Sequence, residues 1–151
     1  MDDRIVHHLY LHAIFSTKGQ EPVLEDGVRE DLGHVVGGAL QDLKCTAVQL
    51  YIGADHIHIL YKQSDDVSVD AGINAVKRES EAWLRGNHEA FRDFKWQESY
   101  AAFSVGGMDV GDVAQQLRDQ GEYHLIHSFE DEFIRILTEG EIEFDENEIW
   151  D

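Results

Sequence analysis

The chain has 151 residues, with 31 acidic against 12 basic side chains, a formal charge of −19 and a sequence pI near 4.6. A field of that sign repels phosphate backbones and, taken alone, argues against a general nucleic-acid binder, although strong salt would screen it and a small basic groove is compatible with it. The single Cys45 excludes an intramolecular disulfide and suits a reducing compartment; no apolar run approaches the roughly 20 residues of a membrane span, and Met1-Asp2-Asp3-Arg4 does not begin a signal peptide, so the expectation is one soluble cytoplasmic domain over residues 1–151.

Residues Ile5 to Phe15 read as a first strand, with His8, Tyr10, His12 and Ile14 on one face and Ile5, Leu9, Leu11 and Phe15 on the other. After a loop holding the only proline, Pro22, the apolar spacing Val28, Leu32, Val35, Val36, Leu40, Leu43 predicts an amphipathic helix over Asp26 to Leu43. Cys45 to Ile52 is a second strand, with Thr46, Val48, Leu50 and Ile52 on one face. Gly53-Ala54-Asp55 then turns into a third strand and makes an antiparallel hairpin. A second helix runs from Val69 to Leu84 and ends near Gly86-Asn87. Short β-prone pieces lie at Phe94 to Trp96 and Tyr100 to Val105; Gly106-Gly107 turns the chain, and Asp109 caps a third helix through Gln120. A last helix, Phe129 to Leu137, leads into an acidic tail over about 138–151; from Glu122 onward Arg135 is the only Arg or Lys. This order predicts an α+β fold, a ferredoxin-like antiparallel sheet with helices packed on one face.

The third strand carries the chemistry. In Asp55-His56-Ile57-His58-Ile59-Leu60-Tyr61 the period of two puts His56 and His58 on one face and Ile57, Ile59 and Tyr61 on the other. Two imidazoles side by side on a rigid strand can hold a divalent metal, although His-x-His alone is a weak signal because strand histidines have many uses. On the third helix Val110, Val113 and Leu117 form the buried stripe, Gln120 falls within about 20° of Val113, and Gln116 lies about 60° to one side. A buried amide ordinarily just finds hydrogen-bond partners; the functional alternative is that the Gln120 oxygen completes the shell of a hard cation such as Mg²⁺ or Mn²⁺.

Three blocks in order, Leu11-His12-Ala13-Ile14-Phe15-Ser16-Thr17-Lys18 with Glu21-Pro22, Ile52-Gly53-Ala54-Asp55-His56-Ile57-His58-Ile59-Leu60, and Trp96-Gln97-Glu98-Ser99-Tyr100-Ala101-Ala102-Phe103-Ser104-Val105, resemble the HUH single-tyrosine transposases of small insertion sequences, especially the branch allied to repeat-associated transposases. The tail from Gln120 through Ser128-Phe129-Glu130-Asp131-Glu132-Phe133 to Trp150-Asp151 is similar too. The resemblance implies a homodimer that recognises hairpin-forming single-stranded DNA. It also implies a divalent metal held by His56, His58 and Gln120, and a helix tyrosine that attacks the scissile phosphate to leave a 5′-phosphotyrosine and a free 3′-OH.

The departure is at the nucleophile: the family tyrosine precedes the glutamine ligand by four residues, and that position here is Gln116. An amide cannot form the phosphotyrosine link. Of the five tyrosines, Tyr10, Tyr51 and Tyr61 sit in strands and Tyr100 matches a non-nucleophilic family tyrosine. That leaves Tyr123, seven residues after Gln116, as a surrogate to weigh against a plain surface aromatic. Lys18, Lys77 and Arg78 match basic family positions and are candidate phosphate contacts, with solvated charge as the bland reading. His12 is either beside the metal face or packed in the sheet, and Trp96 and Phe103 read as core. The expectation is an inactive or domesticated DNA-binding homologue. The alternatives are an active DNA-nicking transposase using Tyr123 or water, and a dimeric protein-interaction module that has left DNA.

Overall fold

The computed structural model describes residues 8–145 and 148–150. Four strands, β1 (Tyr10–Ser16), β2 (Thr46–Ile52), β3 (His56–Lys62) and β4 (Ala101–Val105), form one antiparallel sheet in the order β2-β3-β1-β4. With α1 (Asp26–Asp42) between β1 and β2, and α2 (Val69–Asn87) between β3 and β4, this is the βαββαβ arrangement of the ferredoxin-like folds. The first-strand expectation began at Ile5; its residues 5–7 lie outside the described ones, and the observed strand starts at Tyr10.

The odd face of the central strands builds the main core. Phe15 from β1 and Ile57, Ile59 and Tyr61 from β3 pack against Val28, Leu32, Val36 and Leu40 of α1 and Ile73, Val76 and Leu84 of α2. The spacing of these apolar residues, two in the strands and three or four in the helices, sets both the elements and the faces they bury. The Ser68 hydroxyl starts α2 by accepting from the Ala71 amide.

Helices were expected on one face only, and that is half of the arrangement. The opposite, even face is covered by α3 (Val110–Arg118), α4 (Gln120–Tyr123) and α5 (Phe129–Glu139). Ala114 and Leu117 of α3 pack on Leu60, while Phe129, Phe133 and Leu137 of α5 pack on Ile14. The reason is in the sheet: Ile14 and Leu60 stand among the histidines of that face, and apolar side chains so placed must be removed from water.

Three further differences are local. The expected alternation of β2 fails because a β-bulge between Ala47 and Gln49 inserts Val48, so Ala47, Leu50 and Ile52 face the core and Val48 is exposed. The third helix does not run through to Gln120: Asp119, with φ −89° and ψ 1°, breaks it into α3 and α4. The piece at Phe94 to Trp96 contributes a single bridge, Thr17 to Trp96, instead of a strand. Trp96 itself is core, edge-on to Phe15 at 4.9 Å, with its indole N–H donating to Ser80 Oγ. Among the described residues, no helix is long and apolar enough to cross a membrane.

Candidate metal centre

His56 and His58 project from the even face of β3, 2% and 1% exposed. The register places Ile14 and Ser16 of β1 opposite them on one side, and Tyr51 of β2 opposite His58 on the other. Gly53 makes room at the hairpin turn, where a Cβ would sit 3.1 Å from both the His56 ring and the Tyr51 ring. Phe129 closes the site from α5, stacked on His56 with ring centroids 4.3 Å apart.

Two residues that the sequence reading did not single out complete the cluster. Glu132 of α5 is 1% exposed, and its Oε1 lies 3.0 Å from Nε2 of His58, 3.6 Å from Nε2 of His56 and 3.4 Å from Nε2 of His124. These four ligand atoms lie within 4.8 Å of one another. Gln120, buried as expected, places its Oε1 2.8 Å from His124 Nε2 and also hydrogen-bonds Glu132. A signal for Glu132 does exist in the sequence: it falls three residues after Phe129 on the stripe Phe129, Phe133, Leu137, where a solvated acid does not belong.

The outer nitrogens of the three imidazoles are each held. Nδ1 of His56 bonds Asp55 Oδ1 at 2.8 Å, Nδ1 of His58 bonds His12 Nε2 at 2.8 Å, and Nδ1 of His124 donates to the His127 carbonyl at 2.9 Å. His12 therefore lies on the histidine face, its ring stacked on His58. Burial pushes His12 down to about 3, helped by the neighbouring His58. Burial likewise pushes His56 down to about 4, against the opposing hydrogen bond to Asp55. Burial alone would raise the Glu132 carboxyl, yet hydrogen bonds from His124, His58 and Gln120 outweigh it and hold the group well below the usual carboxylate range. Burial would lower His124, but its bonds to Glu132 and the His127 carbonyl raise it.

Beside the cluster lies a cleft of about 520 Å³ lined by His12, His58, Gln116, Gln120, Tyr123 and Glu132, among others. Gln116 is exposed there, so the position expected for a nucleophile opens onto the histidine face. Tyr123 reaches the same cleft, its hydroxyl accepting from Arg135 Nε at 3.3 Å. The basic candidates separate. Lys18 and Arg78 are exposed, whereas Lys77 is turned inward, 8% exposed, donating to the carbonyls of Gln97, Glu98 and Ser99 at 2.9, 3.1 and 2.9 Å.

Residues 5–120 match the sequence model of the family described as "Transposase IS200 like". The chain belongs to that family. Among solved structures, this IS200-like transposase homologue is similar to a candidate transposase from Deinococcus radiodurans R1, with a TM-score of 0.64 and 20% identity over 80% of this chain and 96% of that one. It is also similar to a REP-associated tyrosine transposase bound to a REP hairpin, with a TM-score of 0.61 and 11% identity over 82% of this chain and 74% of that one. At such identities the likeness bears on the fold. No curated protein matches the IS200-like homologue. Gln116 and Gln120 fall inside the matched segment; His124 and Glu132 lie beyond it.

Proposed function

We propose that this homologue binds hairpin-forming single-stranded DNA as a homodimer over a His56–His58 metal centre, and that it does not carry out strand transfer. The observation that carries this reading is the exposed Gln116 on the cleft beside His58: an amide stands where the family's attacking hydroxyl is expected. An amide nitrogen is a poor nucleophile at phosphorus and has no proton that a neighbouring imidazole could usefully remove.

The donor set fits a divalent metal. Nε2 of His56 is buried with no hydrogen-bond partner, and it lies 3.6 Å from the same Glu132 oxygen that stands 3.0 Å from Nε2 of His58. His56 and His58 would hold the ion, with Gln120 supplying an amide oxygen once a DNA phosphate enters. Mg²⁺ or Mn²⁺ suits such an open, oxygen-rich shell, where the ion offsets charge building on a scissile phosphate. Support for DNA comes from the family and from the hairpin held by the REP-associated relative. Lys18 and Arg78 are exposed and are the family-matched cations offered to the backbone.

A second reading has one observation in its favour. Tyr123 shares the cleft with His58 and carries a hydroxyl, so a relocated nucleophile is its natural role in an active enzyme.

Labelled hairpin DNA from the flanks of the gene, incubated with Mn²⁺ at low and at multimolar salt, tests both. Retarded DNA with no covalent adduct is expected. An adduct that disappears in Tyr123→Phe overturns the inactive reading in favour of Tyr123; cleavage without an adduct assigns the attack to water. No binding at any salt leaves a protein-contact module, and light scattering checks the dimer.

A further inference from the structure

We propose that, in the DNA-free chain, His56, His58, His124 and Glu132 form one closed four-ligand site for a metal of the Zn²⁺ class, so that the segment after Gln120 is clamped onto the sheet. This rests on the reading of His56 and His58 as ligands given above, and adds the other two.

The spacing around the Glu132 oxygen matches a coordination shell, with all four ligand atoms within 4.8 Å of one another. Ligand atoms about 2.0–2.1 Å from a tetrahedral ion lie about 3.3 Å from one another. The three imidazole Nε2 atoms stand 3.0, 3.4 and 3.6 Å from a single carboxylate oxygen. Each ring has Nδ1 engaged by an outer group (Asp55, His12 or the His127 carbonyl) and turns Nε2 toward Glu132; of the three, His124 Nε2 also bonds Gln120 Oε1 at 2.8 Å, a bond that an ion taking this nitrogen would replace.

Hydrogen bonding without a metal accounts for only part of this. Glu132 can accept from His58 and from His124. It leaves His56, whose Nδ1 proton is committed to Asp55, so that Nε2 presents a bare lone pair. That lone pair has no partner and lies 3.6 Å from a carboxylate oxygen. Two acceptors facing each other in a dry site repel, and a cation between them removes the conflict. Three nitrogens and one carboxylate oxygen favour Zn²⁺ or Co²⁺ over Mg²⁺, which demands oxygen and keeps its water. In this arrangement Gln120 gives up its bond to His124 Nε2 and stays as an outer partner through its hydrogen bond to Glu132. Entry of a phosphate would then require one of the two C-terminal ligands to leave.

The test uses metal-stripped full-length protein without DNA, titrated with Co²⁺ and followed by its visible spectrum, then displaced by Zn²⁺. Expected are one Co²⁺ per chain with the intense bands of four-coordination, no displacement by millimolar Mg²⁺, and affinity at least tenfold weaker with lost band intensity in both Glu132→Gln and His124→Ala. His124 is half-buried, so that variant keeps the test valid if Glu132→Gln folds poorly; thermal melts of the metal-free variants check this. Wild-type spectra and affinities in both variants, with binding lost in His56→Ala and His58→Ala, overturn the four-ligand site and leave the two-histidine reading intact. Unchanged binding in His56→Ala and His58→Ala overturns both.

Discussion

Glu132 Oε1 lies 3.0 Å from His58 Nε2, across 74 residues of sequence, with both side chains almost completely buried. The contact ties α5 to the central strand. Removing one partner of a buried, charge-assisted pair leaves the other without compensation, at about 3–5 kcal/mol. Glu132→Ala should therefore lower the stability of the metal-free protein by about that amount in urea denaturation. A loss below about 1 kcal/mol would mean that Phe129, Phe133 and Leu137 hold α5 unaided.

Gln116→Tyr places a phenol on an exposed position of the cleft, where it need displace no core side chain. With Mn²⁺ and hairpin DNA the variant should yield a covalent adduct, resistant to denaturant, that the wild type lacks. Adding His58→Ala should abolish it. Failure to form the adduct, with DNA binding retained, would show that more than the attacking group has been lost.

Lys77 gives the pH dependence. Burial pulls its ammonium down from 10.5 to about 8, against the attraction of Glu81, Asp70 and Glu98. Between those values the unfolded chain holds a proton that the folded chain has released, so folding gains as pH rises. The cost of burying the charge is fully present below about 8 and is relieved by 10.5. Measured against Lys77→Met from pH 7 to 10.5, the wild type should gain relative stability at up to about 1.4 kcal/mol per pH unit. A constant difference across that range would mean that the carbonyls of Gln97, Glu98 and Ser99 keep the ammonium charged.

Lys18 is exposed near Arg92 and Lys95, on a groove of about 860 Å³ next to the end of β1. If it meets a DNA phosphate, Lys18→Ala should weaken hairpin binding at low salt and reduce the slope of log affinity against log salt by about 0.7–1. An unchanged slope would place the backbone elsewhere, with Arg78 the next position to substitute.

The sheet and its histidine face were legible because strand period and hairpin turn are local: His56 and His58 alternate with Ile57 and Ile59, and Gly53 marks the turn. Gln120 was legible as buried from the stripe it extends. What covers the histidines was not, because the partners of a face come from distant sequence. Glu132 sits among Glu130 and Asp131, where an acidic run reads as solvated, and only its position relative to Phe129 marks it as inward. Lys77 misled for the converse reason: its three acceptors are carbonyls about 20 residues away, and backbone groups leave no trace in side-chain pattern.

The extra residue Val48 has a consequence for the molecule in a crowded solution. β2 is a sheet edge, and a straight edge offers unpaired amides and carbonyls as a template on which a second chain can add a strand. The irregularity between Ala47 and Gln49 breaks that template's regular spacing and sharpens its twist. Sheet-to-sheet association through this edge is thereby disfavoured, and a chain meeting a copy of itself has β4 as the more regular of the two borders.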